Sequence, residues 1–375
     1  MNMETSAGLV PPPGFFIREE LEARGWSQRD LAFILGCPES VVNVIVSGKR
    51  GISPEMAKAL GKAFNVPAEF FSNLQNAYDL AQAREPDAGV ARRARLQDRY
   101  PVREMLKRGW LEETDAALLE IQMARFLEVE SVEDIPHLDH AAKKTVSDDI
   151  PAPQLAWLFR VKQIAQSISV VAAYSEKKLR EALSQLRQLT VDPEEIRHVP
   201  RIMMECGIRY VLVESLPSGK IDGVCFWLNP KSPVIGMSLR FDRIDNFWFV
   251  LRHEIEHVLC GHGRTRPIID IELEKSDADN AINEEERVAN FEAAVFCIPQ
   301  EEMDSFIIRK QPFFSERDVL GFARKLQVHP GIVVGQVQKR TGRFELLRKY
   351  LVKIRQFAIL GAIVDGWGDV APVSI

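Results

Sequence analysis

The sequence is poor in cysteine, and its cysteines stand at no spacing that metal or redox chemistry would need. Five of them are scattered along the 375 residues, at Cys37, Cys206, Cys225, Cys260 and Cys297. This dispersal excludes the paired spacing of a zinc ribbon or a thioredoxin-like motif. Scattered thiols in odd number are typical of a reducing compartment, so we expect a cytoplasmic protein.

Long apolar runs and a strong net charge are missing as well. No run approaches the roughly 20 apolar residues that span a bilayer, so we expect no membrane segment. The formal net charge is −5, so any contact with nucleic acid must come from a local patch. A hydrophobic content of 46% and a charged content of 27% are typical of globular proteins, and this length predicts more than one domain.

The region 1–80 predicts a unit of five short helices. Ser27 is a good N-cap for a second helix, which Gly36 ends, and a third helix stops at Gly48. Ser53 and Pro54 begin a fourth helix as cap and first helical residue. Two short helices joined by a tight turn that contains glycine match the spacing of a helix-turn-helix.

Several pieces of this unit carry a family resemblance, namely Ser27–Ala32, Ser47–Ser53 and Ala57–Leu60. They resemble the XRE-type helix-turn-helix, and the stretch 73–80 is similar to the HigA antitoxin branch of that family. The resemblance implies that the third helix enters the major groove of double-stranded operator DNA.

The residues that the resemblance places on DNA are of two kinds. Base edges would be contacted from the third helix, by Ser40, Asn43 and Val44. Phosphates, which give register but no sequence information, would be held by Gln28, Lys49 and Arg50. The third helix is rich in valine and lacks the Arg or Gln of bidentate readout, so we expect modest specificity or a homodimer on paired half-sites. A helical module with no role on DNA is the alternative.

After residue 80 the sequence predicts three regions. They are a helical connector over 81–195, a domain with strands over 196–310 and a helical C-terminal region over 311–375. Alternating, β-branched stretches predict three strands, over 207–213, 223–228 and 233–239. Strands that lead into a helix predict a small α+β domain. The fold expected for the whole chain is therefore multidomain and mainly α, with a small α+β part.

A zinc-protease signature follows the predicted strands: His253-Glu254-Ile255-Glu256-His257. Residues four apart lie on one face of a helix, so His253 and His257 can bind one metal ion. Glu254 then lies beside the metal-bound water, where it can act as general base. We therefore predict a zinc ion as the cofactor.

A catalytic zinc needs a third protein ligand, and the sequence offers two kinds. His262 falls one position short of the third histidine in metzincins, so we favour a glutamate from a second helix, as in gluzincins. Glu286 is the preferred residue and Glu285 the substitute, while Asn290 would hydrogen-bond a ligand histidine. Alternatively, Glu286 only completes a capping box with Asn283.

The whole region resembles the ImmA/IrrE family of metallopeptidases. The matching pieces are Asp245–Phe249, His253–His257, Glu286–Asn290, Ala293–Ala294, Ile298–Pro299 and the stretch 329–335. The resemblance implies a gluzincin-like fold and cleavage of a protein substrate, often a transcriptional repressor. Two positions depart from the family pattern, Val288 in place of an acid and Glu292 in place of phenylalanine. The residue that stabilises the oxyanion stays open between Arg240 and His262.

The stretch 316–340 predicts a helix, a turn and another helix. It is either a second DNA-binding motif or, as we expect, a helical cap on the peptidase domain.

Two functions follow from these patterns. The first is a DNA-binding regulator with a zinc endopeptidase domain, which cleaves a repressor or antitoxin-like protein in a stress, mobile-element or toxin–antitoxin system. The alternative is a non-catalytic repressor of antitoxin type, in which the peptidase fold binds a cognate toxin or repressor, or serves for dimerisation. A purely structural metal is a third, weaker possibility.

Overall fold

The computed structural model describes residues 10–134, 150–170, 172–264, 267–271 and 284–366. The chain divides into two compact units, Met1–Asp87 and Ala88–Ile375. Apart from residues 81–87, the three regions predicted after residue 80 all belong to the second unit. Among the described helices, none is long and apolar enough to cross a membrane.

Within its described residues, 10–87, the first unit contains five helices, as predicted. They are α1 (Pro13–Arg24), α2 (Gln28–Leu35), α3 (Glu39–Val46), α4 (Pro54–Phe64) and α5 (Ala68–Gln82). The Ser27 side chain accepts a hydrogen bond from the Asp30 backbone, and the Asp30 carboxylate accepts one from the Ser27 backbone, which closes a capping box at α2. The core is formed by one apolar face of each helix and includes Ile17, Leu31, Ile45, Leu60 and Phe71.

The second unit begins with helices that precede the sheet. These are α6 (Gly89–Arg99), α7 (Val102–Lys107), α8 (Ala116–Phe126), α9 (Ala152–Ser167), α10 (Glu176–Gln188) and α11 (Val199–Glu205), with 3-10 turns at Leu189–Val191 and Pro193–His198 between the last two.

The sheet and the remaining helices follow in chain order. They are β1 (Arg209–Val213), β2 (Ile221–Trp227), β3 (Pro233–Met237), α12 (Ile244–Leu259), β4 (Ile268–Ile271), α13 (Glu284–Cys297), α14 (Gln300–Lys310), α15 (Glu316–Leu326), α16 (Pro330–Thr341), a 3-10 turn at Arg348–Tyr350, α17 (Arg355–Ala358) and β5 (Ile363–Asp365). The three predicted strands are confirmed as β1, β2 and β3, whereas β4 and β5 were not predicted.

The strand order in the sheet is β4-β2-β3-β1-β5. Strand β1 runs parallel to β3 and β5, while β2 runs antiparallel to β3 and β4. Strand β4 therefore lies at the edge of the sheet, next to β2.

Helices cover both faces of the sheet, because alternate residues of each strand point to opposite sides. Tyr210 and Leu212 of β1 belong to the core that contains α12, whereas Val211 and Val213 belong to the core that contains α9. Helix α9, predicted as part of a connector, is thus one layer of the α/β/α unit. The mainly helical fold with a small α+β part is confirmed.

Helices α15 and α16 pack on the same side as α12. Phe322 and Val333 are buried in the core that also contains Trp248. A Cβ at Gly335 of α16 would lie 2.1 Å from Oδ2 of Asp245, so α16 approaches the beginning of α12 very closely. This packing is what a helical cap requires.

Candidate metal centre

Helix α12 carries the zinc-protease signature through the middle of the second unit. It contacts β2 and β3 on one side and α13 and α16 on the other. As a result His253, Glu254 and His257 are all 0% exposed. Polar groups buried this completely need partners or a bound ion, since an unsatisfied buried polar group is costly.

The two signature histidines point their Nε2 atoms at each other, 2.9 Å apart. Glu286, in the first turn of α13, reaches both rings: its Oε2 lies 3.3 Å from Nε2 of His253, and its Oε1 lies 3.4 Å from Nε2 of His257. The structure thus brings the three predicted ligands to one point. Of the two glutamates considered, Glu286 is the one in the cluster. The capping alternative involves Asn283, which lies outside the described residues.

A fourth donor, not predicted from the sequence, completes the cluster. Asp270 of β4 is 3% exposed, and its Oδ2 lies 3.3 Å from Nε2 of His253. The four donor atoms all lie within 4.8 Å of one another. The available signal was an acid inside an otherwise apolar stretch, Pro267 to Ile271, shortly after the metal helix.

This donor set fits a zinc ion. Zinc bonds to nitrogen and oxygen of 2.0–2.2 Å give a tetrahedron with edges of roughly 3.3–3.6 Å. The donors are separated by 2.9 Å between His253 and His257, by 3.3 Å between His253 and each acid and by 3.4 Å between His257 and Glu286, and every pair of the four lies within 4.8 Å. In addition, Oδ2 of Asp270 is buried and makes no hydrogen bond within the described part of the chain, as expected of an atom whose partner is an ion.

Burial and the charges in the cluster shift the pKa values of its members in different directions. Burial would lower the pKa of His253, but Asp270 and Glu286 outweigh it and raise that pKa to about 9. For His257, burial prevails and lowers the pKa to about 4. Burial raises the pKa of Glu286. Burial would also raise the pKa of Asp270, but His253 outweighs it and lowers that pKa below its usual value.

Glu254 lies beside the cluster, against the backbone of β2. A Cβ at Gly223 would lie 2.0 Å from Oε1 of Glu254, so the side chain occupies space that only glycine leaves open. Both carboxylate oxygens are buried and lack a hydrogen-bond partner among the residues described. Burial and then the charge of Asp270 hold the pKa of Glu254 well above its usual range.

The far sides of the histidine rings have their own neighbours. Nδ1 of His257 lies 3.0 Å from Nδ1 of His262, and the Phe249 ring stacks on His253 with centroids 6.3 Å apart. His262, considered as a ligand from its spacing, thus supports His257 from behind. The hydrogen bond expected from Asn290 to a ligand histidine is not formed: Oδ1 of Asn290 and Nδ1 of His253 both lack a partner in the described ranges.

Arg240, the other candidate for the oxyanion, forms an ion pair with the buried Asp222. Its Nε lies 3.0 Å from Oδ1 of Asp222, and its guanidinium lies over the Phe241 ring at 4.1 Å. Arg240 therefore anchors the beginning of β2 next to Gly223.

Glu292, which departs from the family pattern, holds α13 to α12. Arg252 of α12 is buried and donates to Oε2 of Glu256 at 2.7 Å and to Oε2 of Glu292 at 2.9 Å. The guanidinium also lies 6.0 Å from the Phe296 ring centroid. A glutamate at position 292 thus supplies an ionic contact between the two helices that carry the metal donors.

A cavity of about 400 Å³ opens beside these two helices. Its lining includes Phe249, which stacks on His253, and Asn290, one turn after Glu286, together with Phe291, Lys339 and Phe344. Its lining is largely apolar and also includes cationic groups such as Lys339. Among the described residues that line it there is none of the four donors and not Glu254, so the cavity neighbours the cluster through Phe249 without opening onto the donors.

In the first unit, α3 presents a polar face to solvent. Ser40 and Asn43 are exposed and Val44 is half-buried, whereas Val42, Ile45 and Val46 point into the core. Most of the apolar residues that weaken the DNA interpretation of this helix thus pack inward.

The predicted phosphate contacts lie at both ends of the motif. Lys49 and Arg50 are exposed just after α3, and Gln28 is half-buried at the first position of α2. Gln28 therefore lies next to the N-terminal backbone N–H groups of α2, which favour an anion such as a phosphate.

Comparison with known proteins gives matches in both units. Residues 17–71 match the helix-turn-helix family, and residues 205–334 match the IrrE N-terminal-like domain of the M78 peptidase family. The second match spans β1 to α16 and includes every donor of the cluster.

Individual relatives match the chain over less than a quarter of its length. Virulence-associated protein A' of Dichelobacter nodosus is 40% identical over 83 residues, which are 22% of this chain and 72% of that protein. The uncharacterized HTH-type transcriptional regulator YddM of Escherichia coli is 35% identical over 86 residues, which are 23% of this chain and 90% of that protein.

Proposed function

Because the chain belongs to the helix-turn-helix family of regulators and carries an IrrE-like domain of the M78 peptidase family, we propose that it is a DNA-binding regulator whose second unit is a zinc-dependent endopeptidase. One observation supports the enzymatic part above all others. His253, His257 and Glu286 converge on one point, with the unpartnered carboxylate of Glu254 beside it.

The proposed roles follow from position. His253, His257 and Glu286 hold the ion, and His262 keeps the His257 ring in place. A zinc ion bound there supplies a Lewis acid that polarises the scissile carbonyl and acidifies water. Glu254 takes the proton of the attacking water and passes it to the leaving amine. Burial of the cluster keeps bulk water away from this proton transfer.

The substrate we propose is a segment of another protein, of repressor or antitoxin type. The largely apolar cavity lined by Phe249, Phe291 and Phe344 suits an apolar side chain of that segment, at some distance from the cleaved bond. The helix-turn-helix unit binds operator DNA as a homodimer in the cytoplasm, with Ser40 and Asn43 towards the bases. Joining both units in one chain places the cleavage activity under the same control as a stress, mobile-element or toxin–antitoxin operon.

A second function has one observation in its favour. Asp270 provides a fourth protein donor at the cluster, and structural zinc sites have four protein ligands where catalytic sites have three and a water. In that case the second unit is a non-catalytic scaffold that binds a partner or a second copy, and the chain acts as a repressor of antitoxin type.

The substitution Glu254→Gln separates the two functions. The zinc-loaded chain and the variant are incubated with a peptide library made from a cell extract, and new termini are identified by mass spectrometry. The proposed peptidase loses roughly 100-fold or more of its cleavage in the variant, while its zinc content is unchanged. Glu284→Gln is the matched control, because Glu284 is an exposed acid paired with Arg287.

Two results would count against the peptidase. Measurable cleavage that is equal in the unaltered chain and in Glu254→Gln would contradict the proton-transfer role. A chain that binds zinc but cleaves no peptide, even with the substitution Asp270→Ala, would favour the scaffold.

A further inference from the structure

The donor that the sequence did not reveal sits on a strand at the edge of the sheet. Asp270 lies directly opposite Gly223 in the antiparallel pairing of β4 with β2, and the register shifts between Ile221 and Gly223. A bulge of this kind re-aims side chains locally. Here the Asp270 carboxylate ends up 3.3 Å from His253 Nε2.

Three further facts distinguish Asp270 from an acid that merely lies nearby. It is 3% exposed, so water does not solvate its charge. Its Oδ2 makes no hydrogen bond within the described part of the chain. Its distance to His253 equals that of Glu286, 3.3 Å in both cases, so the two acids are placed alike with respect to that ring.

The number of protein donors decides what kind of site this is. Three donors leave one corner of a tetrahedron for water, and four leave none. The two carboxylates of Asp270 and Glu286 also balance the charge of a divalent ion, which makes the four-donor arrangement favourable in a buried place.

We propose that Asp270 is the fourth ligand of a closed zinc site in the resting protein, and that the peptidase becomes competent only when β4 withdraws this carboxylate. The inference rests on the function proposed above and concerns the regulation of the same site. Asp270 is in this view an inhibitory ligand, which occupies the position where water and the scissile carbonyl must enter.

The place of β4 in the sheet makes such a withdrawal feasible. The strand has four residues, Ile268–Ile271, and among the described strands it pairs with β2 only. An edge strand is held by a sheet partner on one side only, so it opens at a lower free energy than a central strand. The edge of β2 that β4 leaves is then free to pair with an extended segment of a substrate, which is a common way to bind peptides. One movement thus removes the ligand and exposes a binding edge.

The test uses the full chain loaded with cobalt(II) in place of zinc, since the visible spectrum of cobalt reports on its ligands. Acetohydroxamate, a small chelator that needs a free coordination position, is titrated into the unaltered chain, Asp270→Ala and Asp270→Asn. Glu284→Ala is the control, as an exposed acid two residues from Glu286. Metal affinity is measured in parallel by competition with a chromophoric chelator.

We expect acetohydroxamate to change the spectrum of Asp270→Ala but to leave the unaltered chain and Glu284→Ala unchanged. Metal affinity should fall by roughly tenfold or more in Asp270→Ala, as it does when even an outer partner of a ligand is lost. Asp270→Asn keeps the shape of the side chain and should lie between the two. Peptide cleavage should increase in Asp270→Ala, because the inhibitory ligand is gone.

Each of the remaining outcomes refutes either the closed site, the peptidase function or both. Binding of acetohydroxamate to the unaltered chain, equal to that of Asp270→Ala, would refute the closed site and leave the peptidase intact. If acetohydroxamate changes the spectrum of Asp270→Ala but this variant cleaves no peptide, the closed site of the unaltered chain is supported and the peptidase function is refuted. Failure of the folded, unaltered chain to bind cobalt or zinc would refute both.

Discussion

The Glu254 side chain fills the space that a side chain at position 223 would need. A Cβ on Gly223 would lie 2.0 Å from Oε1 and 2.8 Å from Cδ of Glu254. The glycine in the middle of β2 therefore leaves room for the carboxylate on α12. Because β2 is buried along its whole length, the Glu254 side chain has little room elsewhere. The position of Glu254, the proposed general base, thus depends on the absence of a side chain at Gly223.

The substitution Gly223→Ala should displace Glu254 and spare His253, His257 and Glu286. We expect cleavage to fall by roughly 100-fold or more, which is the usual worth of a positioned general base, with zinc content unchanged. Gly321→Ala is the control, because a Cβ at Gly321 meets no atom within 4 Å. Unchanged cleavage in Gly223→Ala would mean that the observed position of Glu254 does not matter for catalysis.

The second prediction concerns the stability of the second unit. Asp365 of β5 is 0% exposed and accepts hydrogen bonds from Trp110 Nε1 at 2.9 Å and Arg160 Nε at 2.5 Å. Asp365→Ala takes this carboxylate away from the buried guanidinium and should cost about 3–5 kcal/mol of unfolding free energy. Urea denaturation followed by fluorescence measures the loss.

A double variant separates the ion pair from simple packing. Arg160→Met together with Asp365→Ala removes both charges, so it should be less destabilised than Asp365→Ala alone. If the loss of unfolding free energy in the double variant instead equals the sum of the losses in the two single variants, the interaction between Arg160 and Asp365 contributes nothing to stability.

The third prediction concerns the helix-turn-helix. Lys49→Ala with Arg50→Ala should weaken binding to operator and unrelated DNA alike, because both exposed residues are placed to hold phosphates. The slope of log affinity against log salt should decrease by about 1 for each charge removed. Fluorescence anisotropy at several salt concentrations gives this slope.

Lys62→Ala provides the comparison for that experiment, since Lys62 is exposed in the last turn of α4 and is not among the residues predicted to contact DNA. The same loss of affinity and slope in Lys62→Ala would show a general effect of charge. No loss in the double variant would contradict the placement of Lys49 and Arg50 on DNA.

Local signals made much of this fold predictable. Ser27, Gly36 and Gly48 mark the helix boundaries of the first unit through capping and left-handed backbone. In the second unit, the four-residue spacing of His253 and His257 by itself places both rings on one face of α12.

Contacts between distant parts of the chain were not predictable in the same way. Asp270 reaches the cluster only through the pairing of β4 with β2, and a four-residue strand has no clear periodicity of its own. Strand β5 is shorter still, and its Asp365 finds Arg160 across 205 positions of sequence. The glutamate at position 292, which departs from the family pattern, is likewise explained only by its contact with Arg252, 40 positions away in the sequence.

The most direct test of the account is the zinc content of the purified full chain, measured by mass spectrometry of the elements after zinc loading and removal of excess metal. We predict about one zinc per chain for the unaltered protein, Glu254→Gln and Glu284→Ala. His253→Ala and Glu286→Ala should retain far less. An absence of zinc from the unaltered chain, or equal zinc in His253→Ala, would contradict the metal centre from which the peptidase function follows.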